Sequence, residues 1–236
     1  MSEREHLPSV QTTHEPVHEP VHEHVLGVLV SGRGSNLRAI LEAIERGELP
    51  ARVGIVISSR ANVPALEIAA RYGIPTHMLR LRDYASRAEL GEAMVRALRA
   101  AHVELVVLAG YNLIFHPCVL RAFPDGILNI HPSLLPAFAG GMAPKPQEDA
   151  LVAGVKITGC TVHFVTEKVD AGPILAQAAV PVHDDDTVET LSARILAEEH
   201  CLYPRAIALA LSGRVRIEGT RTFLAPPPNR TNAVAE

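Results

Sequence analysis

The chain has 236 residues, of which 47% are apolar and 20% are charged, and its formal net charge is −4. This composition can bury a sizeable core, so global disorder is excluded, and the length suits one large α/β domain or two small ones. No stretch is densely basic, which disfavours a nucleic-acid surface or an anionic membrane as a partner.

The cysteines and the first residues of the chain indicate its compartment. Cys118, Cys160 and Cys201 are far apart and show no C-x-x-C pairing, which is typical of reduced thiols rather than of a disulfide framework or a zinc site. The N-terminus lacks the apolar segment of a signal peptide, and no run approaches the ~18 apolar residues of a membrane-spanning helix. We therefore expect a soluble, cytoplasmic protein.

The two ends of the chain differ in composition from the region between them. Residues 1–23 contain a repeated His-Glu-Pro-Val pattern, which predicts a disordered leader, with a His-rich metal trap as the alternative. Residues 225–236 include three consecutive prolines and are also predicted to be disordered. One domain is expected at residues 24–224.

Strand and helix patterns alternate through the first part of that domain. Short, mainly apolar runs, which are typical of strands buried on both faces, occur at residues 25–30, 53–57, 104–109 and 126–130. Helices are predicted from apolar spacing at 37–44, at 64–71, and after the capping box Ser86–Glu89. Because repeated strand–helix units favour right-handed crossovers, we predict an α/β fold with a doubly wound, mainly parallel sheet.

The C-terminal third of the domain has a different pattern. Residues 158–165 and 172–182 alternate apolar and polar side chains more than the earlier strands do, so we expect them to be antiparallel additions to the sheet. A long final helix is predicted to begin at the cap formed by residues 184–187, which are three aspartates followed by Thr187.

The first candidate site is the loop Ser31–Asn36, between the first strand and the first helix. Its glycines and serine allow backbone N–H groups at the helix N-terminus to converge on an anion. Leu37 stands where the dinucleotide fingerprint has its third glycine, and the Gly-Lys-Ser/Thr of a P-loop is missing. The pattern favours a single phosphate over a dinucleotide, and the structural alternative is a tight turn capped by Ser35 or Asn36.

The second candidate site is the pair Asn129 and His131, at the end of a buried strand. Residues two apart in a strand leave the same face, and polar side chains in an apolar strand are costly unless they are paired or used. An amide and an imidazole suit a developing oxyanion, because Asn donates a hydrogen bond and His donates a bond or a proton. The alternative is a hydrogen-bonded pair that anchors the following loop.

Two carboxylates complete the candidates. Asp170 precedes Ala-Gly-Pro in a predicted turn, and it is either a turn former or an acid that orients His131 and stabilises its charged form. Glu199 falls within the apolar stripe of the final helix, where an unpaired carboxylate is costly. We expect Glu199 to meet a buried basic partner or to face a ligand cleft.

Together these segments resemble the glycinamide ribonucleotide formyltransferase family over residues 24–222. The strongest matches are Ser31–Asn36, the Asn-Ile-His-Pro-Ser-Leu-Leu-Pro string at 129–136, residues 161–173, and Glu198–His200. The resemblance implies a Rossmann-like fold in a monomer or homodimer. It also implies transfer of the formyl group of 10-formyltetrahydrofolate to the amine of glycinamide ribonucleotide in de novo purine synthesis, through a tetrahedral oxyanion and without a metal.

The same resemblance implies a role for each candidate residue. Gly34, Ser35 and Asn36 would hold the phosphate of the ribonucleotide, and Glu199 would meet its sugar. The catalytic residues would be Asn129, His131 and Asp170, with Asp170 raising the pKa of the imidazole. The folate pocket would be formed by Arg87, Asn112, Leu113, Ile114, Phe115 and Asn129.

Two segments depart from the family pattern. Leu113 stands where relatives often carry a basic residue. The loop 139–146 is longer and lacks the histidines that many relatives have there. It follows the catalytic strand, where a loop can form a lid, but we assign it no role.

Other functions fit the sequence less well. Methionyl-tRNA formyltransferase would need a further C-terminal domain, and formyltetrahydrofolate deformylase would need an N-terminal regulatory domain. A non-catalytic nucleotide-binding module would not need the whole catalytic set. A cysteine hydrolase is disfavoured because Cys160 precedes a predicted strand, Cys118 and Cys201 lie in predicted helices, and none has an evident activating base.

Overall fold

The computed structural model describes residues 23–226. The disordered segments predicted at 1–23 and 225–236 lie outside the described residues, apart from residues 23, 225 and 226.

A seven-stranded sheet forms the centre of the domain. Its strands are β1 (His24–Val30), β2 (Ala51–Ser58), β3 (Thr76–Met78), β4 (Leu105–Leu108), β5 (Ile127–His131), β6 (Ile157–Phe164) and β7 (Ile174–Pro181). Their order across the sheet is β3-β2-β1-β4-β5-β6-β7. The first five are parallel, and β6 and β7 are antiparallel additions. The predicted α/β class and the antiparallel C-terminal third are therefore confirmed.

Helices cover both faces of the sheet. They are α1 (Ser35–Glu45), α2 (Pro64–Arg71), α3 (Arg87–Ala100), α4 (Pro117–Ala122), α5 (Lys145–Ala153) and α6 (Val188–Leu211). α1, α2, α5 and α6 pack on one face, and α3 and α4 pack on the other. Among residues 23–226, no helix combines the length and apolar character needed to cross a bilayer.

The all-apolar run of β1 follows from this two-sided packing. Leu26, Val28 and Val30 enter the apolar cluster on one face, whereas Val25 and Leu29 enter the cluster on the other. Successive strand residues point to opposite faces of the sheet. A strand that is covered on both faces therefore needs apolar side chains at successive positions.

Two predicted helix starts are confirmed by their caps. The Ser86 hydroxyl accepts a hydrogen bond from the Glu89 N–H at 3.1 Å and begins α3. Thr187 and Thr190 form a reciprocal capping box that begins α6. Each cap satisfies backbone N–H groups that the helix itself leaves unpaired.

Several elements were not predicted from the sequence. The loop 139–146 ends inside α5, which has Pro144 at its N-cap and Pro146 in its first turn, where a missing N–H breaks no helical hydrogen bond. The edge strand β3 and a hairpin of β8 (Val215–Glu218) and β9 (Arg221–Leu224) were also missed.

The interpretation of Cys160 as a residue before a strand was wrong. Cys160 lies within β6 and is fully buried, and this burial raises the pKa of its thiol to about 12. A thiol with so high a pKa is almost entirely protonated near neutral pH, which disfavours it as a nucleophile.

Candidate active site

The predicted site segments meet at one edge of the sheet. Leu29 of β1, Leu108 of β4 and Asn129 of β5 lie side by side in the strand register. The connection after β1 leads towards β2 and the connection after β4 leads towards β5, so a crevice opens between these strand ends. Neighbouring strands are about 4.8 Å apart, which places the loop after β1 and the end of β5 roughly 10 Å apart across the crevice.

The loop after β1 presents the N-terminus of α1. Gly34 is the N-cap residue, with φ +76°, and a Cβ added there would lie 2.7 Å from Ala65 Cα. This position therefore requires glycine. Neither Ser35 nor Asn36 caps the helix as the structural alternative expected, because α1 has no side-chain capping bond within the described residues. The first-turn N–H groups of α1 therefore lie close to the end of β1 without a side-chain acceptor among the described residues.

Asn36 and Glu199 join α1 to α6 beside this loop. Asn36 Nδ2 donates a hydrogen bond to Glu199 Oε2 at 2.8 Å, and both side chains are buried. Burial raises the pKa of Glu199 to about 7, against the opposing effects of this hydrogen bond and of the Arg33 charge. A buried basic partner was one of the two expectations for Glu199, but the hydrogen-bond partner in the structure is the Asn36 amide.

Asn129, His131 and Asp170 come together at the end of β5. His131 is buried, and its Nδ1 lies 3.3 Å from Asp170 Oδ2. Asp170 lies in the turn between β6 and β7, with φ +51°, and its Oδ2 accepts a hydrogen bond from the Gly140 N–H at 2.8 Å. Gly140 belongs to the loop 139–146, for which no role was predicted. This loop therefore helps to position the Asp170 carboxylate.

Both partner atoms of His131 are hydrogen-bond acceptors. Nε2 lies 3.0 Å from the Phe138 carbonyl oxygen, which can only accept, so Nε2 carries a hydrogen. Burial lowers the pKa of His131, and the charge of Asp170 and the Phe138 carbonyl raise it by less. Asp170 thus acts in the predicted direction, but the net shift is downward and the neutral imidazole is favoured.

His163 was missed as a member of this group. Its Nδ1 lies 3.0 Å from the Phe164 carbonyl and donates to it, so its Nε2 accepts the hydrogen bond from Asn129 Nδ2 at 3.2 Å. The same Nε2 lies 3.6 Å from Asp170 Oδ1. His163 stands directly opposite Asn129 in the β5–β6 register. The sequence placed it in a strand, but only the register shows what it faces.

Asp170 is held in its ionised form. Burial favours the neutral carboxyl, but contacts with His163, the Gly140 N–H and His131 outweigh it, and the pKa of Asp170 is lowered. Within residues 23–226, no group of three or more His, Cys, Asp or Glu side chains is arranged to hold a metal ion. The His-rich leader lies outside the described residues.

Most of the predicted folate residues line one cleft. Its wall is formed by the start of α3 and the loop after β4, and it includes Arg87, Leu90, Met94, Tyr111, Leu113, Ile114 and Phe115. Asn112 is used differently, because its Oδ1 accepts hydrogen bonds from the Ser31 and Ser59 hydroxyls, each at 2.8 Å. Asn129 is not among the residues lining this cleft.

Three comparisons relate the chain to known proteins. Residues 25–207 match the family model described as formyl transferase. Glycinamide ribonucleotide transformylase 1 from Symbiobacterium toebii is a similar solved structure, at 50% identity and a TM-score of 0.85, with 90% of this chain and 99% of that chain covered.

Two curated proteins are similar in sequence. Phosphoribosylglycinamide formyltransferase from Haemophilus influenzae is 38% identical over 199 residues, which are 84% of this chain and 92% of that protein. The trifunctional purine biosynthetic protein adenosine-3 of Gallus gallus is 45% identical over 192 residues, which are 81% of this chain. The chain spans 19% of the length of that trifunctional protein.

Proposed function

Because this chain belongs to the formyl transferase family, we propose that it transfers the formyl group of 10-formyltetrahydrofolate to the amine of glycinamide ribonucleotide in purine synthesis. The observation that carries the proposal is the placement of Asn129, His131 and Asp170 at the same sheet edge as the uncapped N-terminus of α1. A group that stabilises an oxyanion and a cradle for a phosphate are the two parts that this reaction needs.

The phosphate and the sugar of the ribonucleotide are assigned to the α1 end of the crevice. Backbone N–H groups of Gly34, Ser35 and Asn36 bind the phosphate, helped by the positive end of the helix dipole. Glu199 uses Oε2 to accept from Asn36 and keeps Oε1 for a sugar hydroxyl. With a pKa of about 7, its carboxyl group either accepts or donates a hydrogen bond near neutral pH.

The cleft beside α3 suits the ring system of a folate. Its aliphatic and aromatic wall fits a planar heterocycle, and the exposed Arg87 stands ready for a carboxylate. Asn112 shapes this site indirectly, because its hydrogen bonds to two serines tie the loop after β4 to the ends of β1 and β2. The folate supplies the formyl group and leaves as tetrahydrofolate.

Asn129 and His131 stabilise the negative charge that develops on the formyl oxygen as the amine adds to the carbonyl carbon. Asn129 gives one amide N–H to His163 Nε2, which leaves its second N–H for the oxyanion. His131 presents Nε2–H, which binds the Phe138 carbonyl until the charge develops. Donors aimed at a developing charge in a water-poor site are usually the largest single contribution to catalysis.

The His131–Asp170 pair moves the proton that the amine loses and the departing folate nitrogen gains. His131 is mainly neutral near pH 7 because burial lowers its pKa, and it is therefore able to accept a proton. When the imidazole carries the proton, its Nδ1–H faces the ionised Asp170 at 3.3 Å, so the charged ring is stabilised while the proton passes from the amine to the folate nitrogen, directly or through water. The cytoplasmic location of the protein and its state as a monomer or homodimer stay predictions.

The test is an assay of tetrahydrofolate release from 10-formyltetrahydrofolate by the full chain, with and without glycinamide ribonucleotide. We expect release to require the ribonucleotide and the product to gain one formyl group by mass. Glycinamide riboside, which lacks the phosphate, should show a KM at least about 100-fold higher, because charge-assisted hydrogen bonds to the α1 N-terminus are lost.

Each alternative function gives a different result in the same assay. A deformylase would release tetrahydrofolate at the same rate without the ribonucleotide. A non-catalytic module would bind ribonucleotide, as measured by calorimetry, without any release. Equal KM values for the ribonucleotide and the riboside would remove the phosphate role of Gly34, Ser35 and Asn36.

A further inference from the structure

Phe138 is the one bulky apolar residue with a left-handed backbone among residues 23–226. Its φ is +55°, and the other non-glycine residues with positive φ in this range are Asn62, His102, Asp125 and Asp170. Asn, Asp and His are enriched in the left-handed region, whereas a bulky residue there is an outlier. Such a conformation persists only where the surrounding structure enforces it, and these residues cluster at active sites.

The carbonyl group of Phe138 faces the imidazole of His131. Its oxygen lies 3.0 Å from His131 Nε2, and Asp170 Oδ2 lies 3.3 Å from Nδ1, the other ring nitrogen. Asp170 is itself left-handed, with φ +51°. Each nitrogen of this buried ring is therefore contacted by a residue whose backbone is in the left-handed region.

Three contacts fix the segment that carries the Phe138 carbonyl. The hydroxyl of the fully buried Ser133 donates to the Ala137 carbonyl at 2.6 Å. The ring of Phe138 is partly buried and packs against the apolar cluster that α1 and α6 cover. After Phe138, the Gly140 N–H donates to Asp170 Oδ2 at 2.8 Å. The left-handed conformation is thus enforced from both sides along the chain and by the side chain itself.

We propose that Phe138 is a positioning residue, whose left-handed backbone directs a carbonyl oxygen at His131 and so fixes the orientation of the imidazole. The inference rests on the proposed function, because it takes His131 to act in formyl transfer. A ring that is contacted at one nitrogen can rotate about its bond to Cβ, whereas contacts at both nitrogens leave one orientation. Displacement of a catalytic group by about 1 Å can lower the rate 10²-fold, so this restraint affects turnover.

The same carbonyl favours the charged form of His131. Burial has the largest effect and lowers the pKa of His131, and the nearby His163 lowers it further. The charge of Asp170 and the hydrogen bond to the Phe138 carbonyl both raise the pKa. Loss of the carbonyl alone should therefore lower the pKa of His131 further, which can be measured without any turnover.

The experiment compares Phe138→Asn with Phe138→Val in the full chain. Both substitutions remove the aromatic ring, but asparagine tolerates positive φ and valine does not. We expect kcat of Phe138→Val to be about tenfold lower than that of Phe138→Asn, with a similar KM for the ribonucleotide, because the carbonyl turns away from His131. An NMR titration should show a lower pKa for His131 in Phe138→Val than in Phe138→Asn.

His102 supplies the matched control, because it is left-handed and far from the crevice. Its φ is +55°, it is exposed, and it precedes β4, whereas the crevice lies at the end of that strand. His102→Asn and His102→Val differ in the same backbone tolerance, so urea unfolding should show valine as the less stable member of this pair too. The two His102 variants should nevertheless have equal kcat and equal pKa values for His131.

The result for each pair decides the inference. In an active protein, equal kcat or equal His131 pKa values in the two Phe138 variants would overturn it, as would a matching loss of kcat in His102→Val. If Phe138→Val does not fold, Phe138→Ala replaces it, since alanine is also unfavourable at positive φ. A chain that shows the pKa difference without formyl transfer would remove the proposed function and leave the positioning of His131 intact. A chain that transfers formyl groups with equal values in both Phe138 variants would do the reverse.

Discussion

The buried polar residues of the crevice and the open clefts beside it lie at the same end of the molecule, yet they are built differently. His131 and His163 are each 2% exposed, and every ring nitrogen of the pair has a partner atom. In the cleft, Ile114 is 62% exposed and Arg87 is exposed to solvent. The side chains of the crevice are therefore held in place by hydrogen bonds within the protein. The exposed side chains of the cleft contribute a surface of suitable shape and charge.

This difference predicts how substitutions act. A hydrogen bond in a buried network is strong, and removing one partner leaves another polar group unpaired. An exposed charge is screened by water and salt and contributes much less. Changes in the crevice should therefore alter kcat or stability by large factors, and changes in the cleft should alter KM by small ones.

The largest effect is expected for Asn129→Ala. Loss of the oxyanion donor should lower kcat by roughly 10²–10³-fold, the usual cost of removing one such donor. Steady-state kinetics measures this. Gln177→Ala is the control, because Gln177 is an amide on β7 that contacts Leu135 and Thr161 instead of the catalytic group. Near-normal turnover of Asn129→Ala would remove this residue from the mechanism.

Glu199→Gln should show how much the burial of an ionised carboxyl group lowers the free energy of unfolding. Since the folded-state pKa is raised from 4.5 to about 7, the stability that Glu199 contributes is present below about pH 4.5 and is lost as the pH rises through about 7. The variant should therefore be more stable than the parent above pH 7, by on the order of 3 kcal/mol. Urea unfolding at pH 5 and pH 8 measures this.

The exposed neighbour Glu198 supplies the matched control for that experiment. Glu198→Gln should leave the pH dependence of stability unchanged. If the parent and Glu199→Gln lost stability equally between pH 5 and pH 8, the buried position of Glu199 would not carry the predicted cost.

Asp170→Asn should lower kcat by roughly 10²-fold, at the low end of what a positioned acid–base group contributes. The pKa of His131 should fall further below its ordinary value, because the charge of Asp170 raises it in the parent protein. An NMR titration of the imidazole measures this shift. Asn tolerates positive φ, so the turn at Asp170 should persist.

Asp125→Asn controls for the backbone in this comparison. Asp125 also has a positive φ, of 50°, but it is exposed and lies before β5. It should change neither kcat nor the titration of His131. If the pKa of His131 were unchanged in Asp170→Asn, the charge of Asp170 would have no influence on the imidazole.

The smallest effect is expected for Arg87→Gln. Because Arg87 is exposed, its removal should raise the KM for the formyl folate by about threefold and affect kcat less. Initial rates at varied folate concentration measure this, with Arg99→Gln as the control. A 10²-fold fall in kcat would place Arg87 among the crevice residues and break the contrast between the two regions.

Much of the fold could be predicted because its signals are local. The apolar runs of β1, β2, β4 and β5 and the caps at Ser86 and Thr187 depend only on neighbouring residues. β3 was missed because all three of its residues are exposed, and it has no apolar pattern. α5 was missed because Pro144 and Pro146 are typical of a loop, although prolines also suit a first helical turn.

By itself, the sequence determined the α/β class, the resemblance to the formyltransferase family, and the choice of Asn129, His131, Asp170 and Glu199 as candidates. Only the tertiary structure decided that His163 holds the Asn129 amide, that Asn36 is the partner of Glu199, and that Gly140 fixes Asp170. These contacts join residues that are 30 to 163 positions apart. Strand register and helix packing bring them together, and neither leaves a mark in any local stretch of sequence.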